Sequence, residues 1–177
     1  MRMIYSVVLA GALLAPYALA QKLELKLDHL KAKAKESNEV DLDGPALDFA
    51  AKATTKGDEE KGKGKHILAG LKGVYVRNYE FEQPGQYTEG DVESVLKQIR
   101  SNPAWSRLVS VREKDERVEV HIMSQGAQVQ GLVVVAAEPT EFTVVNIVGS
   151  IPMDLARGLA QSNVHYDLNA LLQSAKK

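Results

Sequence analysis

Apolar and polar positions alternate from Gly73 to Phe81, with Tyr75, Arg77, Tyr79 and Phe81 on one side and Val74, Val76, Asn78 and Glu80 on the other. That period of two predicts a strand. EQPGQY then turns the chain, and Thr88 with Asp91 three residues later has the spacing of a capping box that opens a helix. Val92, Val95, Leu96 and Ile99 give this helix its buried stripe, and Asn102-Pro103 stops it. Beyond Trp105 the pattern is a meander of four strands, about 106–113, 117–124, 128–137 and 141–149. The turns EKDE, SQGA and EPTE between them suit antiparallel hairpins. Gly149 and Pro152 punctuate a following helix with Leu155 and Leu159, and Asp167 caps a last one with Leu168, Leu171 and Leu172 in a helical tail over 163–177.

Ahead of the first strand, Leu23, Leu27, Leu30 and Ala34 fall at spacings of four, three and four, predicting an amphipathic helix over 22–36. VDLDGPALDFAAKATT reads as a short extended piece, then a helix begun by Asp43 and Pro45. Residues 56–65, KGDEEKGKGK, read as a flexible loop, with a short helix from about His66 to Lys72 after it. The expected fold class is α+β: strand, helix, four-stranded meander, helix, an antiparallel sheet of about five strands with additional N- and C-terminal helices packed on it. Both faces of the last two strands are apolar, whereas a half-exposed antiparallel sheet alternates apolar with polar. N-terminal helices over one face and C-terminal helices over the other would explain this, and so would a partner surface.

MRMIYSVVLAGALLAPYALAQ has a basic start at Arg2, an apolar core and Ala18-Leu19-Ala20 before Gln21, which predicts a signal peptide over 1–20. Residues 21–177 are then one domain, exported to the periplasm or secreted and soluble, with no stable membrane span after cleavage. The chain has no cysteine, so its core must stabilise it without disulfides. With a formal net charge of −1, no broad basic footprint for nucleic acid is present.

Chemistry is sparse. GDEEKGKG matches a phosphate loop up to Gly64, where Ser or Thr should hold magnesium, and its three acids repel phosphate. His29, His66, His121 and His165 lie in separate segments without metal-ligand spacing, although His121 is the first candidate if a site exists. Ser150 lacks the second glycine of a nucleophile elbow. No catalytic residue, metal or cofactor is expected. The residues left as possible ligand or partner contacts include Tyr75, Arg77 and Tyr79, a stripe that either clamps an anion or is one sheet face covered by the Arg stem, and Trp105, near which a small apolar or anionic molecule would sit. Glu138, fixed in an extended conformation before Pro139, and Asn146, a lone amide on an apolar strand, complete the set.

KGVYVRNYEF, the helix from Thr88, PAWSRLVSVRE, VEVHI, GLVVVAAEP and FTVVNIVGSI, in that order, resemble the secreted bacterial family called domain of unknown function 4252. The likeness covers roughly residues 24–160, and its sharpest parts are Trp105–Arg112 and Gly131–Gly149. It implies no activity, and no site residue is carried over from it. The sequence departs from the family pattern after Ile151, and the loop 57–65 is peculiar to this chain. The expectation is an exported non-catalytic domain that binds another envelope protein or forms a homodimer. A periplasmic small-ligand or lipid carrier is the alternative, and a hydrolytic enzyme comes third.

Overall fold

A computed structural model describes residues 22–53 and 70–152. The expected leader, the loop 56–65 and the C-terminal helices lie outside these residues. The elements are α1 (Asp28–Lys31), β1 (Glu36–Asp43), α2 (Gly44–Ala53), β2 (Leu71–Glu80), α3 (Glu89–Ser101), β3 (Trp105–Glu113), β4 (Glu116–Gln125), β5 (Gln128–Glu138) and β6 (Glu141–Ile151).

The α+β class and the strand, helix, meander order hold, but the sheet has six strands, in the order β1-β2-β6-β5-β4-β3, all neighbours antiparallel. The added strand is β1. Its sequence ESNEVDLD alternates, with Asn38, Val40 and Leu42 half-buried, but its charges dilute the apolar signal. Leu71 and Lys72, expected in a helix, begin β2. The helix expected over 22–36 shrinks to the single turn α1, because the backbone around it bonds outward. Leu23 N donates to Asn146 Oδ1 at 3.0 Å, and Glu24 exchanges two hydrogen bonds with the Gln98 side chain, each at 3.0 Å. Leu23, Leu27 and Leu30 are nevertheless buried, so the spacing marked the right side chains for the core.

The N-terminal segment and α3 cover one face of the sheet. Val92, Val95, Leu96 and Ile99 of α3 meet Tyr79, Val133, Val135, Phe142 and Val144 there. At about 1.5–3 kcal/mol for each such side chain, packing rather than intrinsic propensity holds the helix. Its start is the predicted capping box: Asp91 N donates to Thr88 Oγ1, and Thr88 N to Asp91 Oδ2. The other face carries Val76, Val120, Val129, Leu132, Val134, Val145, Ile147 and Ile151, all buried in a cluster built, among the described residues, from strands. Gly149, with φ +121°, sits at the kink between β2 and β6. A Cβ there would lie 2.6 Å from Gly70 O, so only glycine lets the strands approach.

Candidate functional site

Five of the candidate side chains, Tyr75, Arg77, Tyr79, Asn146 and Trp105, point to the helix-covered face, and the first four are bonded within the molecule. The β1–β2 ladder sets Arg77 beside Asp41, and its guanidinium takes both carboxylate oxygens, at 2.9 and 3.1 Å. Tyr75 donates to Asp43 Oδ2 at 3.2 Å beneath the Lys22 ammonium, 4.0 Å from the ring centroid. Tyr79 donates to Glu39 Oε1 at 3.1 Å, and Lys31 binds the other oxygen of Glu39 at 2.7 Å. Burial, reinforced by the Glu39 hydrogen bond, pushes the Tyr79 hydroxyl well above its ordinary pKa, so it stays a donor. Asn146 is 0% exposed, and its oxygen accepts the Leu23 N–H.

Glu138 forms the predicted corner before Pro139, and its carbonyl accepts the Tyr87 hydroxyl. Tyr87 stacks on Phe142 with centroids 5.2 Å apart. Burial, with the charges of Glu138 and Glu89, pushes its hydroxyl up to about 12. Trp105 lies on β3 with its indole over Gly131, where a Cβ would sit 2.9 Å from the ring. Its Nε1 is, among the described residues, the buried side-chain nitrogen without a partner. Tyr75 and Trp105 are not brought together: β6, β5 and β4 lie between their strands, about 19 Å at the usual strand spacing.

A cluster that sequence reasoning missed lies between β4 and α3. Glu119, 2% exposed, accepts Arg117 Nη2 at 2.7 Å and Arg100 Nη2 at 3.0 Å on one oxygen, and His121 Nε2 at 2.8 Å on the other. Arg117 also reaches Glu89 at 2.6 Å and Glu93 at 3.0 Å. Burial alone would raise the Glu119 pKa, but the bonds from His121 and Arg117 and the charge of Arg100 outweigh it and hold the carboxyl below its ordinary value. An ionised carboxylate only accepts, so His121 Nε2 carries the proton. The available signal was the period of two in Arg117, Glu119 and His121, three polar residues on one strand face between Val118, Val120 and Ile122. The group ties α3 to the sheet. Among the described residues no set of three or more metal-ligating side chains is placed to hold a metal ion, and no helix is long and apolar enough to cross a membrane.

What stays open is an edge. β3 is an outer strand of nine residues, most of them exposed, and Leu108 and Val111 stand out as apolar side chains 44% and 43% exposed. The outer edge of β3 faces no strand among the described residues. Arg107 is exposed beside them, and Arg112 is held only at 3.9 Å by Glu89.

No curated protein and no solved structure matches the chain. The family model for domain of unknown function (DUF4252) matches residues 31–157, which span all six strands and α3, and the chain belongs to that family.

Proposed function

We propose that the protein is an exported, non-catalytic domain that works by contact with another protein chain through the edge of its sheet. The observation that carries this reading is β3: an outer strand with exposed Leu108 and Val111 and exposed arginines, while Tyr75, Arg77, Tyr79 and Asn146 are bonded internally. Unpaired strand edges are templates for further strands. A photo-crosslinking amino acid at position 111, compared with one at Lys97 on the outer side of α3, tests the reading in cells. Adducts from position 111 and not from 97 are expected, and their absence at 111 contradicts it.

The unpartnered Trp105 Nε1 favours one second reading, a carrier whose ligand accepts that hydrogen bond. Native mass spectrometry of the purified protein decides it. Co-purified mass lost on Trp105→Phe supports a carrier, and an unliganded mass speaks against one.

A further inference from the structure

The two outer strands fit each other. We propose that β3 of one molecule pairs antiparallel with β1 of a second copy, so that the sheet continues from molecule to molecule. This rests on the protein-contact reading and names the partner as the same chain.

Strand direction permits it. All neighbours in the order β1-β2-β6-β5-β4-β3 are antiparallel, so the first and sixth strands run in opposite directions. A second copy in the same orientation therefore presents β1 antiparallel to β3, with the helix-covered faces on the same side.

Side chains then select a register. On the helix-covered face β3 carries Arg107, Ser110 and Arg112, opposite His121, Glu119 and Arg117 of β4. On that same face β1 carries Glu39, Asp41 and Asp43, opposite Arg77, Tyr75 and Gly73 of β2. Setting Arg112 against Glu39 of the second copy brings Ser110 to Asp41, Val111 to Val40 and Val109 to Leu42. Leu108 is the extra residue of a kink, passed over against β4, where Val109 faces Val120 and Arg107 faces His121. The same skip at the outer edge brings Arg107 opposite Asp43. Opposite charges meet at two positions, aliphatic side chains at two more, and the exposed Val111 is covered.

Competing pairings lose these matches. Moving the register two residues one way sets Glu113 against Glu36 and Val111 against Asn38. Moving it two the other way keeps Arg112 on an acid, Asp41, but sets Glu113 against Val40 and carries Arg107 past Asp43, the end of β1. Pairing β3 with a second β3 around Ser110 crowds Arg112 against the Arg107–Leu108 kink, and pairing two β1 strands brings their acids together. Asp43 remains 55% exposed although Lys22 touches it, so it is accessible to Arg107 of a second copy. Arg112 meets a Glu39 carboxylate that is 24% exposed and already accepts from Lys31 and Tyr79. A head-to-tail contact of this kind does not close on itself, and it builds an open array.

The chain has no cysteine, so introduced ones report the contact cleanly. Full-length Val40→Cys and Val111→Cys proteins are mixed and mildly oxidised. Facing residues of antiparallel strands have Cα atoms about 4.5–5.5 Å apart, within disulfide reach. The mixed disulfide is expected to form about tenfold faster than either homodisulfide, and Arg107→Glu with Arg112→Glu in the Val111→Cys protein should slow it about tenfold. Dominant Val111→Cys homodisulfides would overturn the proposal in favour of β3 pairing with itself. No crosslink of either kind also overturns it. If photo-crosslinks from position 111 still reach a different protein, the protein-contact reading stands while this one fails.

Discussion

Asn146 lies between Val145 and Ile147 with no exposed surface, and the Leu23 N–H it accepts belongs to the segment that closes the core. Asn146→Ala would leave that N–H buried without its acceptor and should cost about 1–3 kcal/mol in urea unfolding. Glu119 makes a sharper pH prediction. Its folded pKa is held below the ordinary 4.5, so its contribution to stability is complete above that value and is lost as pH falls through the folded pKa. Melting temperature should therefore drop below about pH 4.5, and Glu119→Gln should flatten that part of the profile. A profile unchanged by the substitution would remove Glu119 as the cause. Asn146 could be read from the sequence as a buried amide, because its strand is apolar on both sides. Its partner could not, since Leu23 lies 123 residues away and the contact exists only after folding.

Elements were legible where one periodicity dominated. The capping box at Thr88 and Asp91 and the stripe of α3 follow from local rules, and the meander follows from its short turns. Thr88→Ala should lower stability by about 1 kcal/mol, as seen in thermal unfolding. The segment 22–36 misled because its leucines fit a helix, yet its backbone found better partners in Asn146 and Gln98. Glutamates end all six strands on one side of the sheet: Glu36, Glu80, Glu141, Glu138, Glu116 and Glu113. Glu80 faces both Glu36 and Glu141 in the ladder. Like charges so placed repel, so Glu80→Gln should raise stability by about 0.2–1 kcal/mol at low salt, and the gain should shrink as salt is added. A loss of stability at low salt would show that Glu80 is held by an attractive contact instead.

For the whole molecule, the two-faced apolar sheet read from the last strands has one face covered by the N-terminal segment and α3, and a second face equally buried. The expected ligand contacts Tyr75, Arg77 and Trp105 were legible only as residue types. The acids of β1 claim Tyr75 and Arg77, and the strand order carries Trp105 to the far side. Edge character was likewise hidden, because strand order is a long-range property that places β1 and β3 outermost. On the proposal made here these two edges carry the protein's action. Sedimentation velocity over a concentration series tests it most directly. The predicted result is a mass that rises with concentration without stopping at a dimer, and that returns to monomer in Arg107→Glu/Arg112→Glu. A mass fixed at monomer or at dimer across the series would contradict it.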